Sequence, residues 1–368
     1  MEESDGGESG SKVPLCFGKG DNSIEVRYHE EFALHQDLLL LELPENLISE
    51  VLHQRVCLRG EADEDAVLCT RSKTYALKTV GTSNSVFLIP PSSTVGVAPA
   101  LKLASHTLEV SHVAPRLDKL RNILRLRPYN PLMDTHQSDL YHWNDLVQLI
   151  QASEDELKAG LISLSAFEID GRWGIVDSQY MDSMLSMFLS NSVLNDWTFN
   201  ALLEEDVVSA LIADGFPRSL VLHFLGVFAI KIDELNRLWR LNEKSVCVHL
   251  AHQVLRSGTM KHEVFMQEWL RKVPDGLNPS FEMLDGEVLT EKLGIDIRVR
   301  SFSVSHLPLN PADRFSILFK ECAKWKWTDF KPYISDLCVP GLSSDALLIK
   351  YARKTQSSPD AEPIYSAR

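Results

Sequence analysis

The 368-residue sequence contains no Asn-x-Ser/Thr glycan acceptor, no Cys-x-x-Cys pair, and no apolar run near the roughly 20 residues that a membrane-crossing helix requires. These absences argue against a disulfide-stapled secreted domain, a paired-cysteine zinc or redox site, and a helical membrane span. The motifs of phosphate and acyl chemistry are missing too: there is no Gly-x-x-x-x-Gly-Lys-Ser/Thr loop, no Gly-x-Gly-x-x-Gly and no Gly-x-Ser-x-Gly. His262-Glu263 opens like a zinc-protease helix, but Met266 stands where the second histidine would be needed. Positive charge is scarce: 37 Lys and Arg face 51 Asp and Glu, for a formal net charge of −14. That balance repels a nucleic-acid backbone at long range, so any such contact must come from a local basic patch.

What is present reads as a folded chain of two to four domains, since 44% of residues are hydrophobic and 24% charged. Cys16, Cys57, Cys69, Cys247, Cys322 and Cys338 lie mostly in apolar stretches and read as small core fillers. His249 and His252 sit three apart on a predicted helix without a further ligand set, so they read as ordinary core or surface residues. Trp143, Trp173, Trp197, Trp239, Trp269, Trp325 and Trp327 each accompany an apolar stripe, which fits core anchors better than a base-stacking platform. The expectation is a non-enzymatic, intracellular protein with no catalytic or metal residues, no cofactor, no small-molecule substrate and no membrane contact.

The fold class predicted is α+β: a β-barrel-like N-terminal domain followed by tandem winged helices. Residues 1–12 are expected to be a disordered tail. Residues 24–112 read as a β-rich partner-docking domain, with short runs at Leu38–Leu43, Val56–Arg59, Ala66–Thr70, Tyr75–Val80, Val86–Ile89 and Leu108–His112. Polar clusters at Gly60–Asp65, Arg71–Lys73 and Gly81–Ser85 read as turns between them. A short helix is predicted over Pro44–His53, with Leu47, Ile48, Val51 and Leu52 on one stripe. Strands this short and few do not readily close a barrel. A partner strand covering the open edge and a self-sufficient small sheet are equally compatible with the count. The candidate docking residues are Leu39, Leu41, Leu58, Val67, Cys69, Tyr75, Leu77, Phe87 and Ile89.

Residues 113–138 read as a basic helix and linker, in which Arg116, Lys119, Arg121, Arg125 and Arg127 are threaded with leucines and stopped by Pro128. It reads as a solvated connector or as an arm for an acidic partner or phosphate. Beyond it a unit repeats. In 139–192, a helix from Trp143 to Ile150 is followed by a second from Ser153, with Glu156 completing a capping box, and by Phe167–Val176 turning at Asp170-Gly171. Helix, helix, hairpin is the winged-helix order. The same order is expected in 196–242 and, with helices at Lys244–Arg256, Lys261–Lys272 and Phe281–Leu293, in 243–310. The stretch 311–368 is a C-terminal helix-turn-helix region offering a possible fourth unit, with Pro363-Ile364-Tyr365 as a single wing strand.

Charge on the second helix tests whether such a unit reads nucleic acid. In the first unit Glu154, Asp155 and Glu156 would push phosphates away. In the last, a helix from Ser343 is predicted to end in Lys350, Tyr351, Arg353 and Lys354, with Arg368 following a Ser357-Ser358-Pro359 turn. Lys350, Arg353, Lys354 and Arg368 are therefore the candidate DNA-binding residues, for weak and mostly sequence-independent contact. The competing reading is a helix end solvated by its cations and favoured by its dipole.

Several segments resemble the Defective-in-sister-chromatid-cohesion family. They include Leu39–Leu43, Leu58-Arg59-Gly60, Asp65–Cys69, Lys73-Thr74-Tyr75, Leu77-Lys78, Thr82-Ser83-Asn84 and Leu88-Ile89-Pro90. Others are Ile150–Glu154, Gly171-Arg172-Trp173, Val273–Gly276 and Tyr333–Cys338, so the resemblance spans Leu38 to Arg368. It implies a subunit of the alternative, cohesion-type replication factor C clamp loader, working in the nucleus in DNA replication and sister chromatid cohesion. The sheet domain would be one part of a composite triple barrel completed by the large and small cohesion-type subunits. The winged helices would meet DNA and leading-strand polymerase epsilon, and the five-subunit loader would supply the ATPase. The alternative is a winged-helix DNA-binding transcription regulator, which would need a basic recognition helix able to reach base edges.

Overall fold

Short runs of Val, Leu, Ile and Thr between polar turns build sheets in the N-terminal part of the chain. The computed structural model describes residues 13–16, 23–29, 32, 38–90, 97–132, 140–337, 341, 343–358 and 360–368. The expected tail 1–12, the end of the expected linker and Cys338 lie outside the described residues. Two units divide at Val113 and Ala114.

The first unit runs β1 (Val13–Cys16), β2 (Ser23–Tyr28), β3 (Leu41–Glu42), α1 (Glu45–His53), β4 (Cys57–Arg59), β5 (Val67–Cys69), β6 (Thr74–Leu88), β7 (Val97–Ala100) and β8 (Lys102–Val113). It forms a three-stranded sheet, β1-β2-β7, and a five-stranded one, β3-β8-β6-β5-β4. The expected barrel-like closure is not seen among the described residues. The edges β3 and β4 are two and three residues long, too short to seal a five-stranded sheet onto itself. The expected turn at Gly81–Ser85 is also corrected, because β6 runs straight through it. Gly81 faces His106 and Val86 faces Ala104, so the polar cluster is absorbed as an irregularity in a long ladder whose partner strand continues on both sides. The predicted helix α1 forms, and its Leu47 is sealed against the cross-strand pair Leu68 and Tyr75, with Val51, Leu77 and Val110 around them. Ile48 and Leu52 do not share that face, and Leu52 is 72% exposed.

The second unit opens with α2 (Asp118–Leu126), followed by β9 (Tyr141–His142), α3 (Trp143–Leu149), α4 (Glu154–Ser163), β10 (Phe167–Ile169) and β11 (Arg172–Gly174). Ser153 and Glu156 make the reciprocal cap, with Glu156 N donating to Ser153 Oγ at 3.2 Å and Ser153 N donating to Glu156 Oε2 at 3.1 Å. Asp170 and Gly171 turn the hairpin with φ of 50° and 73°, the paired positive values that suit the twist of a two-residue turn. The reading of α2 as a connector is overturned, since Leu120 and Leu124 are buried in one cluster with Leu146, Ile150, Leu157 and Leu161. Gly160 lets α4 come this close: a Cβ there would lie 3.0 Å from the Leu117 methyls.

Next comes α5 (Ser178–Leu194), a 17-residue helix absent from the sequence reading. Its serines dilute the stripe formed by Tyr180, Met181, Met184, Leu185 and Phe188, all of which are buried. The chain continues through β12 (Leu202–Leu203), α6 (Glu204–Ala213), α7 (Arg218–Phe228), β13 (Ala229–Asp233), β14 (Leu238–Leu241), α8 (Glu243–Leu255), β15 (Met260–Lys261) and α9 (His262–Lys272). A helix was expected over Phe281–Leu293. Instead a short 3-10 turn, Phe281–Leu284, precedes β16 (Val288–Leu293). Gly286, at φ 79° and against Pro332, breaks the helix there. After β17 (Asp296–Ser301) come α10 (Pro311–Glu321), β18 (Lys324–Lys326), α11 (Trp327–Phe330), α12 (Ser344–Tyr351), β19 (Ala352–Thr355) and β20 (Ile364–Ala367).

One pattern is repeated along this unit: a short strand, helical segments, then a hairpin whose returning strand takes the middle of a three-stranded sheet. The orders are β10-β11-β9, β12-β14-β13, β15-β17-β16 and β18-β20-β19. One core cluster runs through the first three repeats, with Phe188, Phe224, Phe228, Phe265 and Trp269 in it, and the last repeat has its own around Phe315, Trp325 and Phe330. Cys247 belongs to the first of these clusters as a core filler, and burial pushes its thiol up to about 11.

His223 on α7 packs on the Phe167 ring at 5.8 Å, joining the first two repeats. Burial lowers its pKa to about 4. A histidine depressed in this way contributes stability that is complete above its unfolded value near 6.5 and lost as the pH falls toward 4. The expected loss over that window is about 2–3 kcal/mol. Urea midpoints of the native protein and His223→Leu measured from pH 7.5 to 4.5 should diverge; parallel curves would remove His223 as the cause.

Candidate functional site

The cationic site lies on the last sheet and arises from simple alternation. In Lys324-Trp325-Lys326, Trp325 turns inward to 3% exposure, and its indole N–H donates to Leu318 O at 2.9 Å. Its cross-strand neighbour Tyr365 is also buried and stacks on Phe330 at 5.7 Å. Successive strand residues point to opposite faces, so Lys324 and Lys326 must point outward. Lys324 is in register with Ser366 and, across it, with Arg353; Lys326 is in register with Ile364 and then Thr355. Lys324, Lys326 and Arg353 thus form an exposed strip on one sheet face, and none is in an ion pair among the described residues. Two carboxylates temper it. Glu362 accepts hydrogen bonds from the Thr328 hydroxyl and N–H at 2.7 and 2.9 Å, which hold its carboxyl below the usual range, and its charge reaches Lys326. Burial raises Asp329, which also acts on Lys326.

Of the four residues singled out in the sequence, Arg353, Lys354 and Arg368 line one groove of about 520 Å³ with Leu348, Ile349 and Tyr365. Lys350 is not part of that groove; its ammonium lies over the neighbouring Tyr351 ring at 5.1 Å. Arg353 and Lys354 are strand residues, which corrects the expected helix end, because α12 stops at Tyr351 and buried Ala352 begins β19. Arg368 donates to Ile349 O in the last turn of α12, so its guanidinium serves that helix end. Lys324 and Lys326 escaped the sequence reading, although Lys-Trp-Lys around an inward tryptophan carries the signal.

Several other cations of this unit are engaged. Arg121 donates to Leu307 O, and Arg125 donates to Ser305 O at 3.4 Å, while Asp118 accepts from Leu309 N at 3.1 Å. The basic helix is therefore tied to the segment 305–309, and these two arginines are not a phosphate-seeking arm. Lys261 pairs with Asp296 at 3.1 Å, and Arg300 pairs with Glu321. His249 and His252 face different partners: His249 Nε2 meets Asp182 Oδ1 at 2.6 Å, and His252 Nε2 meets Glu287 Oε2 at 3.0 Å. Burial pushes the Asp182 carboxyl up, but hydrogen bonds from His249, Arg256 and Gln253 outweigh it and hold the group at about 2. No group of three or more potential metal ligands occurs among the described residues.

The expected docking residues divide by burial. Val67, Cys69 and Tyr75 are buried, because β5 and the start of β6 are interior strands, and this removes them from the docking set. Leu41, Leu77 and Phe87 are half-buried. Leu39 and Leu58, at 57% and 61% exposure, and Ile89 remain outward, joined by Leu38, Ile48, Leu52 and Leu103.

A family model described as "Sister chromatid cohesion protein Dcc1" matches residues 38–334. Sister chromatid cohesion protein DCC1 of Danio rerio is 31% identical over 97% of this chain and 93% of its own length. The Homo sapiens protein of that name is 28% identical over 90% of this chain and 88% of its own. The probable counterpart of Dictyostelium discoideum is 23% identical over 88% and 92%. Among solved structures, a chain titled "Nse1-Nse3-Nse4 complex" aligns with 39% of this chain at 12% identity, and its TM-score of 0.14 gives that likeness no weight.

Proposed function

This chain belongs to the Dcc1 family of sister chromatid cohesion proteins, and on that premise we propose that it is a non-catalytic adaptor subunit of the alternative replication factor C clamp loader. It acts in the nucleus, in DNA replication and sister chromatid cohesion. The N-terminal unit docks on the large and small cohesion-type subunits, whose strands extend the short open edges β3 and β4 into the composite barrel. The outward aliphatics Leu39, Leu58 and Ile89 are the side chains available to such partners. The repeated strand, helix, helix and hairpin units are winged helices that bridge the loader to polymerase epsilon and to DNA.

The observation that carries the DNA contact is the strip Lys324, Lys326 and Arg353, outward and in no ion pair among the described residues, in a chain of net charge −14. Three phosphate contacts correspond to a salt slope of roughly −0.9 times three, a weak and sequence-tolerant interaction. The triple variant K324E/K326E/R353E should bind a random duplex at least about tenfold less tightly at 0.1 M salt, with a flatter slope. Fluorescence anisotropy at several salt concentrations measures this, and unchanged binding removes DNA contact from this face. A marked preference for selected duplexes would instead favour the transcription-regulator reading. Co-expression of residues 1–113 with the two cohesion-type subunits tests docking: a monomeric, well-behaved fragment that ignores them would overturn it.

A further inference from the structure

Two cysteines face each other across the edge of the five-stranded sheet. β4 is an outermost strand of that sheet, and its Cys57 is in register with Cys69 on β5. Directly opposed residues of an antiparallel pair share a sheet face, so both thiols lie on one side, opposite the side on which Leu68 packs under α1. The hydrogen-bond pattern sets their spacing. Thr70 N donates to Lys73 O at 3.0 Å, which makes Thr70 and Lys73 a hydrogen-bonded rung and the next rung, Cys69 and Thr74, a non-hydrogen-bonded one. The backbone groups of Cys69 therefore point away from β6 and toward Cys57. Cα atoms on such a hydrogen-bonded rung stand about 5.5 Å apart, within the roughly 4.4–6.8 Å that a disulfide spans. Both residues are thiols, Cys69 buried and Cys57 half-buried. Cys69 Sγ sits 3.9 Å from Thr74 Oγ1, a long contact that a turn about χ1 can give up.

We propose that Cys57 and Cys69 are a redox modification site: on oxidation by a peroxide they close to a disulfide that pins the edge strand β4. In a reducing compartment the pair stays as thiols. Cys57, the more accessible of the two, reacts first. Its thiolate attacks one oxygen of hydrogen peroxide; the S–O bond forms, the O–O bond breaks, and the departing hydroxide takes up the thiol's proton and leaves as water. The sulfur of Cys69 then attacks the sulfenic sulfur of Cys57. The S–S bond forms as the S–O bond breaks, and the second hydroxide leaves as water with the Cys69 proton. Two thiols lose two electrons and two protons, and the peroxide is reduced to two waters.

The consequence follows from where the bridge falls. β4 holds three residues and is paired only to β5 among the described residues, so opening it breaks few interactions. Arg59 and Val67 form the rung next to the connection 60–66, whereas Cys57 and Cys69 form the rung farthest from it, where the strand is held least. A covalent bond at that rung closes the loop and removes the open conformations. The proposal stands on the strand register and does not depend on the docking reading above.

The test uses the full chain carrying Cys322→Ser, which removes an exposed thiol. The protein is treated with hydrogen peroxide, digested without reduction and mapped by mass spectrometry, and amide hydrogen exchange is followed before and after treatment. The expected product is a peptide pair joined through Cys57 and Cys69, with the mass of two hydrogens lost. Exchange of the β4 amides should slow at least about tenfold, and dithiothreitol should reverse both changes. Adding Cys57→Ser should leave the fold intact, abolish the bridge and keep exchange fast after peroxide. Absence of the Cys57–Cys69 bridge overturns the proposal, as does a bridge from either residue to another cysteine. A bridge that leaves exchange in β4 unchanged overturns the pinning.

Discussion

Asp336→Ala destabilises the chain by about 3–5 kcal/mol, read as a drop in the urea midpoint, although Asp336 is the more exposed member of its pair. Its partner Arg314 is fully buried, while the Asp336 side chain is 44% exposed. Arg314 donates to Pro308 O at 2.6 Å and to Tyr333 O at 3.1 Å, and the Asp336 carboxylate supplies its counter-charge. Removing the carboxylate leaves a fully buried guanidinium without its counter-charge, and the charge of Arg121 also acts on that site. Arg314→Met removes the buried charge itself, and the remaining carboxylate can be hydrated, so this variant should cost less than Asp336→Ala. The order of the two midpoints is the discriminating measurement; a milder Asp336→Ala would show that the pair does not hold the last repeat together.

Trp269→Ala should cost a further-ranging 3–5 kcal/mol, to judge from about that range for large aromatics removed from cores. Trp269 is fully buried, stacks on Phe265 with centroids 5.5 Å apart, and donates from its indole N–H to Cys247 O at 2.8 Å. Alanine leaves a cavity between α8 and α9 and a carbonyl without its donor. Trp269→Phe keeps most of the volume and should recover more than half of the loss. Urea unfolding of both variants separates the packing contribution from the hydrogen bond; equal losses would assign the whole effect to the hydrogen bond.

Local chemistry was legible wherever the signal was local. The Ser153 cap, the Asp170-Gly171 turn and helix α1 follow from a few adjacent residues, and each stands where the sequence places it. The reading failed where distant partners decide. Gly81–Ser85 resembles a turn until β8 is laid beside it, and the basic helix resembles a free arm until Leu120 and Leu124 meet α3 and α4. Burial of Val67, Cys69 and Tyr75 likewise depends on which strands become interior.

By itself the sequence determined the chain's class. Scarce positive charge, no catalytic motif and a recurring helix-helix-hairpin order follow from composition and short-range periodicity, which act within a few residues. Which cations form a surface was decided only by tertiary structure. Lys324 and Lys326 stand 27 to 29 residues from Arg353 in the chain, and β20 brings them onto one face by pairing with both β18 and β19. A charge strip built across a sheet depends on register, and register is set by the packing of Trp325 and Tyr365 beneath it, not by the charged residues themselves.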